Sequence, residues 1–211
     1  MIPNGLMDIT TYRVRLPRDL YPYRGSHVIA IRPARDVDPT AAEWVPVERL
    51  SDRRCEWAGA KKGDFFMGRF CQRNSFNIPG PFYGAMTDTC ATGPHEAPNN
   101  VLLDGRGQEF VFKRSANIEE LRNLIGAALC EPFSGYGAVG NDHWTLPLIR
   151  DWWRGRTGFL ARRHELEATN RSTAPWESFL TGQAENYLRV YAFFVEEGRL
   201  PKGSDRLPDV L

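Results

Sequence analysis

Apolar residues follow two regimes along this chain. Before residue 115 they come in short runs broken by Gly and Pro, and after it they recur every three or four residues. That switch predicts strands first and helices afterwards. Ile9–Leu16 sets Tyr12, Val14 and Leu16 against Thr11, Arg13 and Arg15, as a half-buried strand would. Val28–Ile31 is a short apolar run before Pro33, and Trp44–Leu50 reads as an edge strand because Pro46 cannot donate to a ladder. Phe65–Phe70 is apolar but interrupted by Gly68. Val101–Leu103 and Gln108–Lys113 flank Asp104-Gly105-Arg106-Gly107, which predicts a hairpin whose Asp-Gly pair supplies the positive φ of a tight turn.

The helical regime begins at Asn117, an N-cap with Glu120 three residues on. Ile118, Leu121, Ile125 and Ala128 then share a face, and Glu131-Pro132 ends the helix. Thr145 caps a second helix that tolerates Pro147 in its first turn and closes at Gly155. A third runs over about 159–169. A fourth starts at Thr173, carries Trp176, Leu180, Ala184, Tyr187, Tyr191 and Phe194 at helical spacing, and stops at Gly198. The tail from Lys202 reads as extended and loosely held. Strands followed by helices predict an α+β fold, an N-terminal antiparallel β-rich half packed against a C-terminal helical half, with long Pro/Gly-rich loops. Nothing reads as a linker, so residues 1–211 are expected to form one domain, with 115 the natural place for a sub-boundary.

Two segments keep neither period. Residues 74–100 hold prolines, glycines, and the polar groups Asp88, Cys90, His95, Glu96, Asn99 and Asn100. A loop this long inside a domain is usually functional or disordered. Its Phe76, Ile78, Phe82, Tyr83 and Met86 argue for order. The second segment, 132–143, contains Gly135-x-Gly137-x-x-Gly140. A dinucleotide fingerprint needs a strand before it and a helix after it, and here a predicted helix precedes it. The motif is therefore expected to be a helix-to-helix loop that lets backbone approach an anion or swing as a lid.

The chemistry-bearing residues concentrate in these segments. A thiol near an imidazole can act as a nucleophile, which makes Cys90 with His95 or His143 the candidate pair and Asp88, Glu96 or Asp142 the orienting acids. The competing reading makes Cys90 a small buried apolar group and Asp142 the cap of the following helix. Tyr83, Asn99, Asn100, Tyr136 and Trp144 are the candidate ligand-binding residues. No complete metal-binding motif is evident, and no cofactor is identifiable. Trp152 and Trp153 are adjacent, so either their helix is sandwiched or one of them faces a partner beside Arg150, Arg154 and Arg156.

Composition narrows the classes further. Net charge is +1, with no basic stripe for nucleic acid. Only four of the 27 basic residues are lysine, a bias that suits either a GC-rich genome or bidentate anion recognition. There is no C-x-x-C, no secretory leader is expected, and no apolar run is long enough for a bilayer span, so a cytoplasmic location with reduced thiols is expected. Two functions remain. One is a small hydrolase or group-transfer enzyme acting on a small polar ligand, its site formed by loops 74–100 and 132–143. The other is a non-catalytic protein-binding or regulatory module that uses the Trp/Arg helix of residues 144–156.

Overall fold

The structure is a computed structural model that describes residues 66–116, 118–199 and 201–211. The strands expected at 9–16, 28–31 and 44–50, and the Asn117 cap, lie outside the described residues. The elements are β1 (Tyr83–Gly84), α1 (Thr92–Glu96), β2 (Val101–Leu103), β3 (Glu109–Val111), α2 (Ile118–Cys130), β4 (Tyr136–Gly137), α3 (Leu146–Arg154), α4 (Arg156–Ala161), α5 (Arg163–Glu167), α6 (Ala174–Ser178) and α7 (Ala184–Glu197). Among the described residues, helices thus combine with two small antiparallel sheets, β1–β4 and β2–β3, in an α+β arrangement. The segment from Phe66 forms no strand, and Phe70–Gln72 is a 3-10 turn.

The hairpin is where the alternation put it, with Val101 opposite Val111 and Leu103 opposite Glu109. Its turn works differently from the expectation. Gly107, not Gly105, takes the positive φ, at 79°. The Asp104 side chain closes the loop by accepting from the amides of Arg106 at 2.8 Å and Gln108 at 3.0 Å. An aspartate that folds back on amides two and four residues ahead makes the reversal without a tight two-residue turn.

The helices follow their apolar stripes. α2 buries Leu121, Leu124, Ile125 and Ala128 against the face of the hairpin that carries Val101 and Val111. Thr145 caps α3 by accepting from the Leu148 amide at 3.4 Å, so capping falls to Thr145 and not to Asp142, which ends a 3-10 turn over Gly140–Asp142. The expected 159–169 helix is two short ones broken at Arg162, with Leu166 buried. The last expected helix is α6 and α7 joined by a π-helical turn at Phe179–Gln183. Gly198 ends it at φ 65°, its amide bonding to the Phe194 carbonyl at 2.8 Å.

Among the described residues the apolar core has two clusters, and residues from both sides of position 115 take part in each. α3 is sandwiched. Both Trp152 and Trp153 are buried, the Trp152 indole N–H donates to the Ser75 carbonyl at 3.0 Å, and Arg156 lies over the Trp153 ring. The tail is docked rather than loose. Val210 is fully buried, Arg150 donates to the Asp209 carbonyl at 2.9 Å and Arg189 to the Pro208 carbonyl at 3.2 Å. Among the described residues no helix is long and apolar enough to cross a membrane.

Candidate functional site

Most of the long loop is interior. Asn74 and residues 76–85 are all buried, so their amides need partners that no regular ladder supplies. Asn77 provides them. Its Oδ1 accepts from the Gly84 amide at 2.9 Å and the Val111 amide at 2.8 Å, while its Nδ2 donates to the carbonyls of Asn74 and Gly84, each at 2.7 Å. The Ile78 amide adds a bond to the Val111 carbonyl at 2.9 Å. One asparagine side chain thereby stitches the loop to itself and to β3.

The second loop then lies along the first. Tyr83 stands opposite Gly137 and Gly84 opposite Tyr136 in the β1–β4 ladder. The Ala85 amide bonds to the Gly135 carbonyl at 2.9 Å and the Gly140 amide to the Pro81 carbonyl at 3.0 Å. This proximity explains the glycine pattern. A methyl group on Gly137 would enter the Tyr83 ring, and one on Gly140 would collide with the Gly80 carbonyl. The glycines let two backbones touch, a packing requirement that accounts for G-x-G-x-x-G without a nucleotide.

Cross-strand neighbours share a face and successive residues alternate, so Tyr83 and Tyr136 point to opposite sides of this ladder. The Tyr136 side is acidic. Its hydroxyl donates to Glu109 Oε2 at 2.7 Å, and Glu109 Oε1 accepts from the Gly93 amide of α1 at 2.6 Å. Glu131, just past the end of α2, accepts from the amides of Asp88, at 2.8 Å, and Gly135. Asp88 Oδ1 accepts from the Cys90 amide at 3.2 Å, and Asp88 Oδ2 is buried with no hydrogen-bond partner among the described residues. Glu109, Glu131 and Asp88 are 0%, 3% and 5% exposed, and none of the three forms an ion pair among the described residues. Burial raises the Glu109 pKa above its ordinary value despite the bonds from Tyr136 and Gly93, and the charges of Asp88 and Glu131 add to the rise. The same surroundings push the Tyr136 phenol well up.

The Tyr83 side is aromatic and basic. Phe70 meets Tyr83 edge-on at 5.4 Å and Trp144 edge-on at 5.2 Å, and the His143 ring stacks on Phe70 at 4.9 Å. The Arg73 guanidinium lies 4.1 Å from the Phe70 ring centre and 4.7 Å from that of Trp144. Tyr83 itself is buried, donates to the Gly68 carbonyl at 2.8 Å, and has its pKa pushed up to about 12 by desolvation.

The candidate residues thus divide between two faces of one short ladder. Asp88, Cys90 and Tyr136 gather on the acidic side, and Tyr83, His143 and Trp144 on the aromatic side. His95 is exposed on α1 and sits 3.6 Å from Glu96. Asn99 is exposed, whereas Asn100 is buried and donates to the Lys113 carbonyl and to Glu120. Asp142 is exposed. Cys90 is exposed rather than buried, and Asp88, as hydrogen-bond acceptor and as negative charge, raises its pKa. That environment favours the thiol over the thiolate. Glu109, Glu131, Phe70 and Arg73 complete the two faces and were not singled out by the sequence reading. Among the described residues no group of three or more His, Cys, Asp or Glu is arranged to hold a metal. A separate groove of about 490 Å³ lies between α7 and the tail, lined in part by Glu185, Arg189, Phe193, Arg206 and Asp209. Compared with known proteins, the chain matches no family model, no curated sequence and no solved structure.

Proposed function

We propose that this chain is a small cytoplasmic hydrolase or group-transfer enzyme, acting as one domain on a small polar substrate at the junction of loops 74–100 and 132–143. The observation that supports the reading is the β1–β4 pairing, which draws Asp88, Cys90 and Tyr136 around Glu109 and Glu131. Glu109, a buried carboxyl whose pKa is raised by desolvation, is suited to proton transfer. Asp88 is the acid–base group of this reading, since its Oδ2 is uncommitted and exposed Cys90 stands beside it. Strain at the same place adds support. Ala91 and Ser134, one in each loop, hold φ at 62° and 53°. A non-glycine residue in that region costs on the order of 1 kcal/mol and is found disproportionately at functional sites.

The test is turnover of a panel of chromogenic carboxylate and phosphate esters by the full chain and by D88N, C90A, H95A and H143A. Turnover that falls roughly a hundredfold in D88N supports the assignment. No turnover of any panel member, or turnover unchanged in all four variants, refutes it.

A second reading, a partner-binding module, draws on a different observation. With Trp152 and Trp153 interior, the exposed residues of α3 are Pro147, Leu148, Asp151 and Arg154. Met67, Met86 and Phe133 are 64%, 57% and 71% exposed, and all three flank the loop junction, where the Met67 amide bonds to the Ser134 carbonyl. Exposed apolar groups gathered at one place are characteristic of binding surfaces. Retention of a partner by the wild type and its loss in F133S would favour this reading.

A further inference from the structure

The groove between α7 and the tail shares no lining residue with the two loops. Glu185, Arg189, Phe193, Glu196 and Glu197 line it from α7, at the three- and four-residue intervals that put side chains on one helix face. Arg206 and Leu211 line it from the tail. Both signs of charge are present, yet they do not pair. Glu185 and Arg189 stand four residues apart in the order that favours a helical ion pair, but Arg189 Nε instead donates to the Pro208 carbonyl at 3.2 Å. Among the described residues Glu185, Arg189, Glu196, Glu197 and Arg206 form no ion pair. Asp209, the remaining acid of the groove, accepts from the Leu211 amide at 3.0 Å.

We propose that this groove binds a small zwitterion, of amino-acid or dipeptide size, that carries an apolar side chain. Arg189 and Arg206 take its carboxylate, Glu196 and Glu197 take its ammonium, and Phe193 with Leu211 receives the side chain. The cavity, about 490 Å³, falls within the ~300–1,000 Å³ of small-ligand sites. A ligand of one charge would leave the other sign in the groove uncompensated, whereas a zwitterion answers both. The planar guanidinium matches a carboxylate through two parallel N–H donors. Arg189 is half-buried and its tether to Pro208 already fixes it, so little side-chain freedom is lost on binding. Glu196 and Glu197 lie about 10–12 Å along the axis of α7 from Arg189, a gap that long side chains and a short molecule span together. Phe193 stands between them. Arg199 lies 4.9 Å from the centre of its ring and is tied to Asp205 at 2.7 Å, so that cation is committed elsewhere. Leu211 is 64% exposed, an apolar side chain in a charged groove that the bound apolar group covers.

The groove stands apart from the loop junction and holds its ligand whether or not that junction catalyses a reaction. The experiment titrates the 15N-labelled full chain with L-phenylalanine and with L-alanyl-L-phenylalanine to about 10 mM, following amide shifts by NMR. Saturable shifts centred on α7 and residues 206–211 are expected. The tighter of the two probes tells a free amino acid from a peptide as the source. 3-Phenylpropanoate lacks the ammonium and phenethylamine lacks the carboxylate, so each should bind at least about tenfold more weakly. R206A, and E196Q combined with E197Q, should weaken the zwitterion by a similar factor. These three side chains are exposed and unpaired among the described residues, so both variants should keep the wild-type thermal midpoint. Absence of saturable shifts with both probes, or shifts centred elsewhere, overturns the site. So does a one-charge analogue that binds as tightly as the zwitterion, or an affinity unchanged in both variants.

Discussion

Replacing Asn77 by alanine should cost far more than its size suggests. The side chain makes four bonds, and its loss is not felt equally by the four partners. The Asn74 carbonyl still accepts from the residue-77 amide, and the Gly84 carbonyl still accepts from the Asn74 amide. The Gly84 and Val111 amides, both buried, have Asn77 Oδ1 as their acceptor and lose it. A buried donor left without a partner costs about 1–3 kcal/mol, so the pair predicts a loss of roughly 4 kcal/mol. That is a large share of the roughly 5–15 kcal/mol that holds a typical domain folded. Thr145 provides the contrast. Its capping bond is long, at 3.4 Å, and the residue is exposed, so T145A should cost no more than about 1 kcal/mol. Urea denaturation followed by tryptophan fluorescence measures both, provided the m-value is unchanged. A cost for N77A within about 1 kcal/mol of zero would mean that those amides find other partners, and the claim that Asn77 secures the buried loop would be wrong.

Two further outcomes follow from the electrostatics. Asp88 holds the Cys90 thiol protonated, so D88N should lower the thiol pKa and speed iodoacetamide labelling of Cys90 at neutral pH, with exposed Cys71 as the internal control; labelling unchanged or slowed would contradict this. Asp205 accepts from both Arg199 and the Lys202 amide, which holds its pKa down to about 2. Its contribution is present above the ordinary carboxylate value of 3.8 and disappears as pH falls towards about 2, a window that a carboxyl 13C titration reads directly and that D205N should abolish.

The helices were legible because their signals are local. The stripe of α2, the Thr145 cap and the Gly198 stop each depend on residues a few positions apart, and the structure keeps all three. The hairpin was legible for the same reason, although its turn geometry was not, since a side chain rather than the Asp-Gly pair closes it. The meeting of the two loops was an inference from their composition, and β1–β4 gives it physical form. The glycines of 135–140 were recognisable as a pattern but not as a packing surface, because their partners, Tyr83 and Gly80, lie more than fifty residues away. Glu109 was hidden by its type. An acid in QEFVFK reads as the solvated side of a strand, yet Val111, two residues on and therefore on the same face, is buried. That neighbour was the available signal. Glu131 was read only as the end of a helix, and nothing local shows that it clasps Asp88 and Gly135.

The pairing of the two loops is the claim on which the site, the strain argument and the acid cluster all depend. Nuclear Overhauser measurements across β1–β4 test it most directly. Cross-peaks between the Tyr83 ring and the Gly137 α-protons, with slow exchange of the Ala85 and Gly140 amides, are the predicted result. Absence of those cross-peaks, with both amides exchanging as in an unstructured peptide, would contradict the account.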